Sequence, residues 1–126
     1  MLKWITALAG LLLAAGGVQA GQHAPDAVVI DPDSHVVVLE NEHVRVIRNI
    51  SHPGKTSPMH SHSPLVFISL SAARVKLTAP DGEESYFDLQ PGMVMWWNER
   101  VEHAWELLAG KLHVIAVEVK SAAEVD

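Results

Sequence analysis

The chain has 126 residues and a mass of 13.7 kDa, room for one domain. Hydrophobic residues are 48% and charged residues 19%, which excludes a disordered polar chain, and a net charge of −6 with no Lys/Arg cluster excludes the electrostatics of nucleic-acid binding and of docking on an anionic membrane. Cys is absent, so disulfides, thiolate zinc sites and iron–sulfur clusters are excluded, whereas the eight His stand out as potential metal ligands.

The chain opens with the pattern of a secretory signal peptide. Lys3 supplies a positive end, residues 5–15 an apolar core, and Val18-Gln19-Ala20 a small-x-small cleavage sequence. The apolar run is shorter than the ~20 residues a membrane-spanning helix needs. Residues 1–20 are therefore expected to be removed on export. That leaves 21–126 as a single domain, periplasmic or secreted from a bacterium, with no membrane attachment.

Residues 22–34, with Pro25, Asp31, Pro32 and Asp33, read as a polar lead-in. Strands are expected at 35–40, 44–50, 59–62, 65–70, 74–78, 85–89, 93–97, 104–108 and 112–120, each β-branched, apolar or alternating. Residues 51–58 read as a loop. Turns are expected at Ala79-Pro80-Asp81-Gly82, Gln90-Pro91-Gly92 and Ala109-Gly110. No stretch sustains a helical period. Short strands at this spacing predict an all-β barrel or sandwich.

His60 and His62 lie two apart on an expected strand, so both point to one side with Cα atoms ~6.6 Å apart. Two imidazoles so placed can grip one metal ion, and a further ligand must come from elsewhere. His103, which opens another strand after the turn-like residues 98–102, is the candidate. A His-x-His pair alone is a weak signal, common on surfaces.

Other residues are weaker candidates. His113 shares parity with Ile115, Val117 and Val119, opposite Glu118 and Lys120, so it is expected to face the barrel interior or its mouth, where it could be an additional ligand or proton carrier, or else a rim histidine in solvent. Met95 shares parity with Met93 and Trp97. It could offer a soft sulfur suited to Cu(I), or simply fill the core. Trp96, Trp97 and Trp105 are expected to supply core area and pocket walls. Arg45, Arg48 and Arg100 could orient an anionic substrate or be solvated. Glu99 and Glu102 flank His103 and could orient its ring or form an acidic loop. His23, His35, His43 and His52 lack ligand spacing and read as surface residues.

Gly54, five residues, His60, one residue, His62 resembles the first motif of the cupin family. Gly92, ten residues, His103 is similar in spacing to the second. With the expected strands, the resemblance covers most of 36–119. It implies a double-stranded β-barrel, or jelly roll, with its core at about 36–120 and a metal at its centre. Val66 and Phe67 stand where cupins usually carry a Glu, Asn98 where Pro is common, Arg100 where Gly is common, and Leu107 where an Asn is often found. The resemblance therefore carries over His60, His62 and His103 alone, with Phe67 as a possible lid on the pocket.

Three neutral imidazoles would hold a divalent transition metal (Fe, Mn, Ni, Cu or Zn, with Fe favoured for an oxygenase) and leave open positions on it. The segments ENEHVRVI, PGKTSPMHSH and VIAVEVK resemble small single-domain cupins associated with β-alanine degradation. The relay of the thiol dioxygenases has no counterpart, since Tyr86 is the only Tyr and no Ser-x-His stands near His103. Three functions remain open. One is a small-molecule metalloenzyme, such as a non-haem oxygenase or a Lewis-acid enzyme. Another is a non-catalytic metal- or ligand-binding module, and the last a structural barrel used for dimer contacts. A small-molecule ligand and a homodimer are expected.

Overall fold

The computed structural model describes residues 23–120, and the expected signal peptide lies outside them. A one-turn helix, α1 (Ala27–Ile30), precedes nine strands: β1 (Val36–Glu40), β2 (Val44–Ser51), β3 (Thr56–His62), β4 (Leu65–Ser69), β5 (Ala73–Thr78), β6 (Glu84–Leu89), β7 (Val94–Trp97), β8 (Val101–Gly110) and β9 (Leu112–Val119). They form a five-stranded sheet in the order β1-β2-β9-β4-β7 and a four-stranded sheet in the order β3-β8-β5-β6. Each strand pairs antiparallel with its neighbours. This is the two-sheet, all-β architecture that the strand pattern predicts.

The core lies between the sheets. Val75, Trp105 and Leu107 of the smaller sheet meet Leu112 and Val114 of the larger one, and Ile47, Leu65 and Ala116 form a second cluster beside them. Trp105 is buried as expected, but Trp96 is 55% exposed on the outer face of the larger sheet and supplies no core area.

Two strands depart from expectation in ways that matter for the site. In β9, Leu112, Val114, Ala116 and Glu118 are buried, while His113, Ile115, Val117 and Val119 are half-buried on the outer face. The expected parity is therefore reversed. Both faces of β9 are rich in apolar residues, and the outer face of an antiparallel sheet is normally polar, so the set containing Ile115 reads as the inner one. A tight β8–β9 connection fixes the phase. Gly110 sits there at φ +78°, and a Cβ would collide with the Ala72 carbonyl oxygen.

The other departure is β3, which starts at Thr56 rather than 59 and runs through Pro58. Proline ends a central strand, but β3 is a sheet edge and bulges here. Ser57 pairs with Trp105 and His60 with His103, so three steps on β3 match two on β8. The extra residue turns both Ser57 and His60 inward, where they are buried.

The free edge of β3 is covered by the segment ahead of β1. Ser61 N donates to Pro25 O at 2.8 Å, and Ser61 Oγ donates to Ala24 O at 2.9 Å. Asp26 caps α1 through Val28 N at 2.9 Å. The expected polar lead-in is thus an ordered arm, with Asp31, Ser34 and His35 buried.

Candidate metal centre

β3 and β8 carry the site. Directly opposed residues of an antiparallel pair hold their Cβ atoms ~4.5–5.5 Å apart. His60 opposes His103 in this way, and their ring centroids are 4.8 Å apart. His62, two residues on, lies 4.9 Å from His60 and 5.5 Å from His103. The three histidines singled out by sequence are therefore brought together, all buried, at one end of the sandwich.

A fourth joins them. His35, expected at the surface, is only 4% exposed. Its ring lies 4.7 Å from His60 and 5.5 Å from His62. Ring nitrogens of His35, His60 and His62 fall within 4.8 Å of one another. Nitrogens sharing an ion at ~2.0–2.1 Å sit no more than about 4.2 Å apart, so small side-chain rotations would close the triad. The correction arises because the arm docks on the edge of β3, a tertiary contact with no signature in local spacing.

Three of the rings, those of His60, His35 and His62, are held through Nδ1. His60 Nδ1 donates to Pro58 O at 2.7 Å, and His35 Nδ1 donates to Asp31 O at 3.0 Å. A carbonyl can only accept, so both Nδ1 atoms carry the proton and both Nε2 atoms carry a lone pair. His62 Nδ1 meets Glu118 Oε2 at 2.8 Å, an interaction that also leaves its Nε2 free. His60 Nε2 is fully buried and has no hydrogen-bond partner among the described residues. Such an orphan is costly, and a metal ion would satisfy it.

Burial lowers the proton affinity of these rings. It holds His60 at about 4, reinforced by the adjacent His62. Burial also depresses His103 well below its usual range, with His60, His62 and His35 adding to the effect. It depresses His35 too, although the Asp31 carbonyl opposes it. These three imidazoles are therefore neutral near pH 7, the form that ligates.

Glu118, placed by parity on the face opposite Ile115, Val117 and Val119, is instead 2% exposed. It orients His62 and is itself held by Arg45, whose Nε donates to Glu118 Oε1 at 2.8 Å while Nη2 donates to Asp26 Oδ2 at 2.8 Å. Arg45 thus serves an internal ion-pair chain and is not free to orient a substrate. A second carboxylate stands behind His60 and His35: Asp31 accepts from Ser57 Oγ at 2.5 Å and from Lys55 Nζ at 3.3 Å. Burial opposes ionisation of Asp31, but those bonds and one from Ser34 outweigh it and lower its pKa.

The remaining candidates divide. Phe67 and Met95 line the cavity beside the histidines, and Phe67 stacks on Trp97 with centroids 5.4 Å apart. Trp97 in turn packs edge-on against His103 at 5.8 Å. His113 does not line the cavity. It faces outward on β9 opposite Ile50, which corrects the expected interior position. Glu102 is bound by His23 Nδ1 at 2.9 Å and Ala24 N at 3.2 Å, so it anchors the arm. Arg48 and Glu99 are exposed, and Arg100 donates to Ser61 Oγ at 2.7 Å. Glu118 shares the phase of Leu112, Val114 and Ala116, but the opposite face of β9 is equally apolar, so local parity gave no signal of its inward position.

His35, His62 and His103 open onto a cavity of about 70 Å³ between the sheets, with His60 packed behind them. Its wall is built of Leu, Val, Ile, Ala, Phe, Trp and Met side chains, and among the described residues Asn49 is the one polar lining side chain besides His, with no Asp, Glu, Lys or Arg.

No protein-family model matches the sequence, and no curated protein matches it. Solved structures do. A cupin domain from Bordetella pertussis Tohama I superposes with a TM-score of 0.62 at 24% identity, covering 80% of this chain and 100% of that one. An RmlC-like cupin family protein with a double-stranded β-helix fold, from Methanocaldococcus jannaschii, gives 0.55 at 17% identity, covering 87% and 93%. This chain has the cupin fold. The polyketide cyclase RemF of Streptomyces resistomycificus shares it, with a TM-score of 0.54 at 14% identity over 85% of this chain and 80% of that one. Within the cupin fold, β3 and β8 place the histidines at one end of the space between the sheets, with apolar residues beneath them.

Proposed function

We propose that this is an exported cupin of the three-histidine kind, holding one divalent transition metal through His60, His62 and His103 and acting as a metalloenzyme on a small molecule. The observation that carries the reading is the buried His60 Nε2 with no protein partner, set among neighbouring imidazoles. The donor set fits a late first-row divalent ion: neutral nitrogen ligands, with Nδ1 engaged on His60 and His62. Such an ion would supply Lewis acidity or, as iron, the redox chemistry of a non-haem oxygenase. The protein's own part is to exclude water and to orient. Phe67, Met95 and Trp97 form an apolar wall, and Asn49 can hydrogen-bond a single polar group on the substrate. With no charged side chain on that wall, the substrate class is small, uncharged and largely apolar. The likeness to cupins associated with β-alanine degradation is thus kept as a family likeness, because a zwitterion would find no counter-charge among the lining residues.

A second reading, a non-catalytic metal- or ligand-binding module, is favoured by the size of the cavity. At about 70 Å³ it is well below the ~300–1,000 Å³ of ordinary ligand pockets. Periplasmic location and a homodimer remain part of the proposal, the dimer resting on an apolar outer sheet face discussed below.

The test is metal content. Protein isolated from its native compartment should carry one equivalent of transition metal by elemental analysis. His60→Ala should fold, since the apolar core is untouched, and carry almost none. A metal-free wild type, or stoichiometric metal in the variant, would remove the reading.

A further inference from the structure

We infer that His35, on the arm ahead of β1, donates a nitrogen to the same ion as His60 and His62. The inference rests on the metal reading above and extends its ligand set to a residue outside the two histidine motifs. Three independent features of the ring support it. His35 is buried, with a nitrogen within 4.8 Å of those of both His60 and His62. Its Nδ1 proton is committed to the Asp31 carbonyl, so the free nitrogen is Nε2, the same atom left free on His60. Its backbone is fixed rather than mobile. Asp31, at the end of α1, is tied to β3 through Ser57 and to Lys55, and Pro25 and Asp26 are tied to Ser61 and Arg45.

The cavity wall makes a fourth nitrogen chemically useful. No carboxylate reaches the histidines from that wall, and Phe67 offers no donor atom. A set of four neutral imidazoles holds a divalent ion without an anionic ligand. It favours copper, nickel, cobalt or zinc over the harder manganese.

The test uses the wild-type chain and Zn²⁺ alone. Metal-free protein is titrated with Zn²⁺ while the ring nitrogens are followed by long-range ¹H–¹⁵N correlation spectra. The expected result is that Nε2 of His35 shifts to a metal-bound position together with Nε2 of His60 and His62, with Nδ1 of His35 still protonated. A His35 pattern unchanged by zinc while His60 and His62 shift would overturn the inference and leave the metal reading standing. No shift at any histidine would overturn both. As a second readout, His35→Gln should weaken zinc binding in chelator competition by about 100-fold or more, beyond the ~10–100-fold of losing an outer partner. Affinity within a few-fold of wild type would contradict a direct donor.

Discussion

Glu118 governs how His62 is presented. Its carboxylate binds His62 Nδ1 at 2.8 Å and is held in turn by Arg45. A carboxylate on Nδ1 fixes ring orientation and strengthens Nε2 as a donor. Glu118→Gln keeps the shape and removes the charge. It should lower metal affinity by ~10–100-fold in chelator competition while circular dichroism stays that of a folded β protein. Unchanged affinity would show that Glu118 serves packing alone.

The buried rings also make the metal-free fold sensitive to acid. His60 titrates at about 4 and His103 and His35 are likewise depressed, because burial disfavours their charged forms. In the unfolded chain they titrate near ~6.5. Below that pH the unfolded state takes up protons that the folded state refuses. Stability is therefore full above about 6.5 and falls as pH drops toward 4. His60 alone should cost on the order of 2 kcal/mol by pH 5. Urea unfolding with chelator present should show the loss between pH 7.5 and 5. A flat profile would contradict neutral, buried imidazoles.

Among the elements, local periodicity made some features legible and tertiary docking hid others. His60 and His62 could be read because a strand repeats every two residues, whatever it packs against. His103 could be read from its spacing after Gly92 and the strand it occupies. β9 could not be phased, since Leu112, Val114 and Ala116 look no more inward than Ile115, Val117 and Val119. The phase was settled by the Gly110 turn and the partners of β9, which no local pattern encodes. The early start of β3 was hidden by Pro58, which is tolerated only at a bulge in an edge strand. His35 was hidden for a related reason. An arm reading as polar lead-in is ordered by hydrogen bonds to Ser61, Ser57 and Arg45, residues 19 to 37 positions away.

For the whole molecule, the outer face of the five-stranded sheet calls for a partner. In register across all five strands lie Leu39, Val46, Val117, Val66 and Trp96. The next row is Val36, Arg48, Ile115, Ile68 and Val94. Leu39, Trp96 and Val94 are 50%, 55% and 63% exposed. From β1 to β7 the sheet spans ~19 Å at the spacing of paired strands. Apolar rows of that breadth on a solvent face mark an association surface. A second copy meeting it face to face is the expected occupant. Trp96→Glu should convert a dimer to a folded monomer in sedimentation analysis, with metal content unchanged because the cluster lies on the inner face. A monomeric wild type, or a dimeric variant, would reject this face as the interface.

Whether imidazoles from separate parts of the chain share one ion is tested most directly by anomalous diffraction from crystals grown with Zn²⁺. A single strong peak is expected ~2.0–2.1 Å from ring nitrogens of His60, His62 and His103. An empty cluster, with zinc found only at exposed histidines such as His23 or His43, would contradict it.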